Sequence, residues 1–279
     1  MKEKLKSLFL ITRPINFLIT FASVIVSAII CSPGILLTSN IFLAALSAGF
    51  TASAGNIIND IFDIEIDEIN RPDRPLPSGR LKINEAYILY LVCFVISGGL
   101  VLSAGQTIVI IVLFSHLLLF LYSKYLKGIP FVGNIAVAFL TGLVFIFGGV
   151  VIENPTAAII PACFAFLINL IREIVKDMED VEGDKSAKVV TFPIKFGFKK
   201  SKYLIAVIIY ALILFTIYPF IAELYAIEYF VIVMIIVNPL LVFVVKKLFE
   251  DDSVQNLKKM SNLLKLTMVF GLIAIYLGV

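Results

Sequence analysis

The chain has 279 residues, of which 60% are apolar and only 15% are charged, and its formal net charge is +3. A soluble domain averages about 45–50% apolar and about 25% charged residues. The apolar excess is concentrated in several long charge-free runs, and a run of about 18 apolar residues can cross a bilayer. The composition therefore excludes an ordinary soluble protein and predicts a polytopic membrane protein.

Nine membrane-spanning helices are predicted, which makes the expected fold all-α. In chain order they cover residues 14–32, 39–60, 83–103, 106–123, 131–151, 155–177, 203–222, 227–246 and 261–278. The longer polar connections are residues 61–82, 178–202 and 247–260. We expect a single membrane-embedded domain over residues 1–279, with its functional motifs in loops 61–82 and 178–202.

The distribution of charge predicts the orientation of these helices. If the nine helices alternate in direction, all 23 lysines and arginines fall on one side of the membrane. The other side then carries only Glu153, Glu223 and, at a boundary, Glu228. Because positively charged loops stay in the cytoplasm, we expect a multi-pass protein of the plasma membrane with a cytoplasmic N-terminus and cytoplasmic long loops.

The second and sixth predicted helices end in the same pattern of polar residues, spaced by four, three and four. At about 100° per residue, each set falls within a helical arc of about 60°. The two sets are Asn56, Asp60, Asp63 and Asp67, and Glu173, Asp177, Asp180 and Asp184. The repeated spacing indicates an internal repeat, with both sets at the cytoplasmic ends of their helices.

A single aspartate at the end of a membrane helix is readily explained as a residue of the helix–water boundary. Two clusters of acids are not. Carboxylates are unfavourable at the negative end of a helix dipole, and like charges on one helix face repel each other. A cation would offset both effects. Mg²⁺ commonly takes one or two carboxylates, several waters and phosphate oxygens. The pattern therefore predicts two facing aspartate stripes with a magnesium-bound diphosphate between them.

Basic residues lie close to both clusters in the sequence. Arg172 and Lys176 lie on the helix that carries Asp177 and are the best candidates for binding a phosphate. The other candidates are Arg71, Arg74 and Arg80 after the first cluster, and Lys124 and Lys127 after the fourth helix. Solvated cytoplasmic loops and anionic lipid headgroups explain basic residues equally well, so the basic residues alone do not establish a phosphate site.

The paired motifs resemble those of the UbiA superfamily of intramembrane prenyltransferases. The first motif is Asn59-Asp60-x-x-Asp63-x-x-x-Asp67 and the second is Asp177-x-x-Asp180-x-x-x-Asp184. Within that superfamily, "NRPDRPLPSGR", "YSKYLKGIPFVGN" and "REIVKDMEDVEGDKSAKVVTFPIKFG" are most similar to the archaeal digeranylgeranylglyceryl phosphate synthases. The resemblance covers essentially the whole chain.

The resemblance implies nine helices around a central cavity with a cytoplasmic loop cap, and Mg²⁺ as the cofactor. It further implies transfer of a geranylgeranyl group from geranylgeranyl diphosphate to the free hydroxyl of geranylgeranylglyceryl phosphate in archaeal ether-lipid biosynthesis. Asp60, Asp63, Asp177 and Asp180 would hold Mg²⁺ through the diphosphate, and Asp67 and Asp184 would complete the catalytic acids. The implied substrate-binding residues are Asn16, Asn56, Arg71, Arg74, Lys124, Lys127, Asn134, Arg172 and Lys176.

Two other functions stay open at the level of the sequence. An aromatic polyprenyltransferase acting on a quinone precursor would share the same general plan. A divalent-cation transporter would use the aspartates as its ion site, although transporters bind coupling ions near the middle of the bilayer. Membrane lipids are the expected surroundings and no nucleic-acid partner is expected. His116, the single histidine of the sequence, lies within the fourth predicted helix and is expected to be far from the acidic clusters.

Overall fold

The computed structural model describes residues 2–279, and that range contains helices and no strand. The α-helices are α1 (Lys2–Ile11), α2 (Pro14–Cys31), α3 (Ser39–Phe62), α4 (Ile64–Asn70), α5 (Ile83–Val101), α6 (Gln106–Leu121), α7 (Val132–Val151), α8 (Ile159–Glu179), α9 (Val181–Ser186), α10 (Phe192–Ile221), α11 (Ile227–Ile232), α12 (Asn238–Glu250) and α13 (Val254–Gly278). A π-helical turn, Tyr122–Leu126, extends α6, and another, Val233–Val237, joins α11 to α12. The 3₁₀ turn Pro155–Ala158 leads into α8.

Within residues 2–279, nine helical stretches are long and apolar enough to cross a membrane. They coincide with the nine predicted helices, so the predicted all-α membrane fold is confirmed. An apolar chain in hydrocarbon becomes helical because a helix satisfies its own backbone hydrogen bonds, whereas an open strand edge would leave polar groups unpaired.

Several predicted helix ends were wrong because the helices include polar residues beyond the apolar run. A short helical stretch begins at Phe192, the chain kinks at Gly197 (φ 84°), and the seventh spanning helix continues from there, so it starts before the predicted residue 203. The ninth begins at Val254 rather than at residue 261, where the Ser253 hydroxyl accepts a hydrogen bond from the Asn256 amide. Polar residues that form a helix outside the bilayer carry no hydropathy signal.

The acidic sets do not each lie on one continuous helix, which corrects the predicted helical arcs. α3 ends at Phe62, Asp63 has non-helical dihedrals, and the short helix α4 follows. In the same way α8 ends at Glu179, Asp180 breaks the helix, and α9 follows. The predicted repeat is thus also a repeat of local structure, in which a long helix is followed by a break at an aspartate and a short helix.

These breaks also correct the argument from the helix dipole. Asp63 and Asp180 directly precede the short helices, and Asp67 and Asp184 lie in the first turns of those helices. The N-terminal end of a helix favours negative charge. Four of the six aspartates therefore lie near the positive end of a helix dipole, where their charge is stabilised, and not at the negative end as the sequence suggested.

The helices pack around a cavity of about 530 Å³, lined by residues from α2, α3, α6, α7, α8 and α13 among others. α8 packs against α7, α10 and α13, while α2 packs against α3 and α7. The approach of α2 to α7 depends on Gly148, since an added Cβ there would lie 2.6 Å from the Ser27 Cβ. The predicted central cavity is confirmed.

His116 is buried in the packing of the bundle. Its Nε2 lies 2.7 Å from the Ser97 hydroxyl on α5, and its ring packs edge-on against Phe94 with the centroids 4.6 Å apart. These contacts describe a core histidine that joins α6 to α5, separate from the acidic clusters.

Candidate active site

The cavity is mainly apolar and becomes polar at one end. Phe145, Phe147 and Phe164 contribute to the apolar wall. The polar end is formed by Asn16 near the start of α2, Asn56 and Asn59 near the end of α3, and bases from α8 and α13. Such a cavity can hold a long apolar chain with a charged head at its polar end.

The first acidic cluster is buried and neutralised by bases. Asp60 accepts hydrogen bonds from Arg13 and from Arg74, the latter at 3.2 Å. Arg74 also donates to Asp67 Oδ2 at 2.5 Å. Asp63 pairs with Lys127, whose Nζ lies 2.6 Å from Oδ2, and accepts a hydrogen bond from Asn59. Arg13 and Asn59 also line the cavity, so they connect this cluster to its polar end.

The second cluster lies against the first. Arg71 is the link, because its Nη2 lies 2.7 Å from Asp180 Oδ1 and its Nη1 lies 3.7 Å from Asp67 Oδ1. The backbone is also joined here, since the Asn70 side chain donates to the Asp180 carbonyl oxygen and accepts from the Gly183 amide. The structure therefore brings the two predicted motifs together, although 110 positions separate Asn70 from Asp180 in the chain.

Asp177 and Asp184 complete the second cluster. Asp177 accepts a hydrogen bond of 2.8 Å from Asn134 on α7, so Asn134 lies beside the second cluster. Asp184 is 1% exposed, and its Oδ1 has no hydrogen-bond partner. Burial raises the pKa of Asp184 to about 7, an effect that nearby Lys127 opposes. Burial also raises the pKa of Asp67, with Arg74 acting in the opposite direction.

The predicted bases fall into two groups and two exceptions. One exception is Arg80, which donates to the Ser78 hydroxyl and to the Asp73 carbonyl oxygen and not to the acidic clusters. Arg71, Arg74 and Lys127 contact the aspartates, whereas Arg172 and Lys176 both donate to buried Glu173 at 2.9 Å. Lys124 is exposed and lies over the rings of Phe120 and Tyr125. Within residues 2–279 it forms no ion pair, so the structure does not bring it to the clusters.

Several residues of the site could not be assigned from the motifs alone. Arg13 pairs with Asp60, Asn70 joins α4 to α9, and Lys265 donates to Asn16 at 2.5 Å. Lys265 did carry a signal, because it is the one charged residue of the predicted span 261–278. A charge inside a membrane span is itself an indication of function.

The donor set fits a hard divalent cation. Within the described range no three acidic, histidine or cysteine side chains form a cage that would hold a metal by protein atoms alone. Mg²⁺ does not require one, because it commonly binds one or two carboxylates together with water and substrate phosphates. The buried, unpartnered Asp184 Oδ1 leaves an acceptor that is costly without a partner. The site thus suits Mg²⁺ bound jointly by carboxylates and a diphosphate.

The fold and the site define a membrane enzyme that handles a charged group at one end of an apolar cavity. The UbiA prenyltransferase family matches residues 20–269. The chain belongs to this family, and the sequence-based prediction of the superfamily and of prenyltransferase activity is confirmed.

Several members of this family are similar to the chain over most of its length. The digeranylgeranylglyceryl phosphate synthase of Methanosphaera stadtmanae is 34% identical over 270 residues, which covers 96% of this chain and 97% of the relative. A solved structure concerning digeranylgeranylglyceryl phosphate synthase is 35% identical, with a TM-score of 0.77 and coverage of 99% and 98% of the two chains. A UbiA homologue from Archaeoglobus fulgidus bound to GPP and Mg²⁺ shares the fold at 17% identity, with a TM-score of 0.63 and coverage of 96% and 99%.

Proposed function

We propose that this protein transfers a geranylgeranyl group from geranylgeranyl diphosphate to the free hydroxyl of geranylgeranylglyceryl phosphate, in archaeal ether-lipid biosynthesis. The observation that carries the proposal is the meeting of two acidic motifs beside the polar end of an apolar cavity. The nearly full-length similarity to a digeranylgeranylglyceryl phosphate synthase supports the glyceryl phosphate acceptor over an aromatic ring. The acids lie at one end of the bundle beside arginines, which favours a diphosphate site over a transporter's ion site.

Mg²⁺ is the cofactor of the proposed reaction. Asp60 and Asp63 from the first motif, with Asp177 and Asp180 from the second, would hold it together with the donor diphosphate. When bound, the ion neutralises negative charge on the diphosphate and makes it a better leaving group.

The basic residues of the site would act on the same diphosphate. Arg71, Arg74 and Lys127 contact the aspartates, and their N–H groups would also donate to the oxygens of a diphosphate bound beside those carboxylates. Charge-assisted hydrogen bonds from these bases stabilise the charge that develops as the carbon–oxygen bond of the donor breaks. Asn134, which donates to Asp177, would orient that carboxylate, and Asn56 at the polar end of the cavity would bind the diphosphate.

The apolar wall would hold the prenyl chain and control the fate of its reactive end. Departure of pyrophosphate leaves an allylic cation, which any nearby water would capture. An apolar cavity that excludes water leaves the acceptor's hydroxyl as the nucleophile. Its oxygen bonds to the cation and its proton passes to the released pyrophosphate, which gives the ether. In this proposal residues 1–279 act as one domain, with the N-terminus and the acidic loops on the cytoplasmic side of the plasma membrane.

The experiment that tests the proposal presents purified protein with Mg²⁺, geranylgeranyl diphosphate and a panel of acceptors. The panel contains geranylgeranylglyceryl phosphate and hydroxybenzoate- and naphthoate-type rings, and mass spectrometry identifies the product. We expect the digeranylgeranyl ether of glyceryl phosphate and release of pyrophosphate. Prenylation of an aromatic ring alone would replace this function by the quinone-precursor alternative, and replacing the donor by shorter prenyl diphosphates would define the chain length.

A further inference from the structure

Lys265 is a cation inside the ninth spanning helix with no acid to neutralise it. Its Nζ donates a hydrogen bond of 2.5 Å to Asn16 Oδ1, and it forms no ion pair with any carboxylate of residues 2–279. An ammonium group has three N–H donors, so two remain available for another partner. A charge at such a position is costly unless a ligand or counter-charge accompanies it.

The charged neighbours of Lys265 make this cost larger. Arg172, Arg13 and Lys176 line the same cavity as Lys265, and all three carry the same positive charge. Arg172 and Lys176 share the single carboxylate of Glu173, and Arg13 shares Asp60 with Arg74. The acids of this region are therefore fewer than its bases, and the buried Arg172 Nε lacks a hydrogen-bond partner. Repulsion between cations is strong where the effective dielectric constant is low, so this group calls for an anion.

Three bases of this region, Lys265, Arg172 and Lys176, contact none of the six motif aspartates. Lys265, Arg172 and Lys176 all line the cavity. The bases in contact with the motif aspartates Asp63 and Asp180 are Lys127 and Arg71. The reaction needs two phosphorylated substrates at the same end of the cavity, since the donor carries a diphosphate and the acceptor carries a phosphate monoester.

We propose that Lys265 and Arg172 form the subsite for the phosphate of the acceptor, with Asn16 holding the Lys265 ammonium group in place. The inference rests on the proposed function and adds to it the residues that select a phosphorylated glycerol lipid over an uncharged acceptor. The donor's diphosphate occupies the separate site between the two acidic motifs.

The test compares Lys265→Gln, Lys265→Met and Lys265→Arg with the wild-type protein. The matched control is Lys258→Gln, an exposed lysine on the same helix. Each protein is assayed with geranylgeranylglyceryl phosphate and with geranylgeranylglycerol, which lacks the phosphate. Steady-state kinetics give the KM of each substrate, isothermal titration calorimetry without donor gives the affinity for the phosphorylated acceptor, and thermal unfolding reports folding.

A lost hydrogen bond to a charged group should weaken binding of the phosphorylated acceptor by about 10- to 100-fold. We expect this loss in Lys265→Gln and Lys265→Met, a much smaller one in Lys265→Arg, and none in Lys258→Gln. The KM of the donor and the kcat/KM for geranylgeranylglycerol should stay at their wild-type values.

Three results would overturn the inference. They are unchanged affinity for the phosphorylated acceptor in folded Lys265→Gln or Lys265→Met, an equal loss with both acceptors, and a raised KM for the donor alone. Each leaves the proposed function standing if the wild-type protein still makes the ether product. A wild-type protein that prenylates neither glycerol acceptor overturns the proposed function and the inference with it.

Discussion

Arg71 ties the two acidic motifs together through a single guanidinium group. It lies within salt-bridge distance of Asp67 on one side and of Glu179 and Asp180 on the other. Arginine keeps its proton under all ordinary conditions, and these acids raise its pKa further although burial opposes the charge. The two motifs therefore share a permanent positive charge, which lets carboxylates that would otherwise repel each other lie close together.

The first prediction concerns the carboxylates that we propose as metal ligands. Asp60→Asn and Asp177→Asn keep the shape of the side chain and remove its charge, so each should lower the rate of prenyl transfer by about 100-fold or more. The controls are Glu65→Gln and Glu182→Gln, which alter exposed acids beside the same motifs. Initial rates are measured on protein whose fold is checked by circular dichroism, and near-normal turnover in either aspartate variant would defeat the metal-site proposal.

A second prediction separates metal binding from turnover. Mg²⁺ with a non-hydrolysable prenyl diphosphate analogue should raise the thermal stability of the protein, by about 2.7 kcal/mol when the ligand is present at about 100 times its Kd. Chelation with EDTA should remove both the stabilisation and the activity, and added Mg²⁺ should restore them. Full stabilisation by Mg²⁺ and the analogue in Asp60→Asn would show that this carboxylate does not contribute to binding.

At the scale of single residues, the acidic residues of the site could be predicted from the sequence, but the bases that pair with each of them could not. The spacing of the aspartates is local, and periodicity alone exposes it. The partners of Asp60, by contrast, are Arg13 and Arg74, one of which is 47 positions away. Pairings of this kind depend on how helices pack, and a solvated loop base looks the same in the sequence as Arg71 or Arg74.

At the scale of secondary-structure elements, the contact between α4 and α9 brings the two motifs together. The chain breaks at Asp63 and at Asp180 redirect both short helices, and Asn70 on α4 then meets Gly183 on α9. A break of one residue leaves the spacing of three and four unchanged, so the motif could be predicted from the sequence but the breaks could not. The apolar spans, by contrast, could be predicted because the hydropathy signal of each span extends over some twenty residues.

Gly183 lies where α9 packs closely against α4, so adding a single methyl group there should disturb the contact between the two helices. A Cβ at Gly183 would lie 2.4 Å from Asn70 Nδ2 and 2.8 Å from the Ile66 carbonyl oxygen, so the backbone of α4 would have to move. We expect Gly183→Ala to destabilise the fold by about 1–3 kcal/mol and to reduce activity by displacing Asp180 and Asp184. Thermal unfolding and initial rates measure the two effects.

The matched control for this substitution is Gly98→Ala on α5. An added Cβ at Gly98 has no neighbour within 4 Å, and alanine favours a helix over glycine by about 1 kcal/mol. Gly98→Ala should therefore leave stability equal or slightly higher. Equal behaviour of the two variants would mean that the close approach of α4 and α9 does not support the site.

At the scale of the whole molecule, the bundle separates an apolar interior from one charged end. Asn16 near the start of α2, Asn56 near the end of α3 and Lys176 near the end of α8 all line the same end of the cavity. A diphosphate carries several charges and does not cross a bilayer unaided, whereas a prenyl chain partitions into apolar surroundings. The charged end must therefore face the compartment that contains the donor, and the orientation of the bundle becomes a condition for activity.

The last prediction tests this orientation in membranes. In a background without Cys31, Cys93 and Cys163, single cysteines replace residues in loops that should lie on opposite sides. Asp73→Cys and Lys185→Cys follow the two acidic motifs. Leu36→Cys, between α2 and α3, and Glu228→Cys, at the start of α11, lie at the opposite end of the bundle. All four positions are exposed. Because every lysine and arginine falls on the side of the acidic motifs, we expect that side to be cytoplasmic. In intact spheroplasts, a membrane-impermeant maleimide should label only Leu36→Cys and Glu228→Cys. Once the membrane is opened, it should also label Asp73→Cys and Lys185→Cys. The reverse pattern would place the catalytic end outside the cell and contradict the proposed orientation.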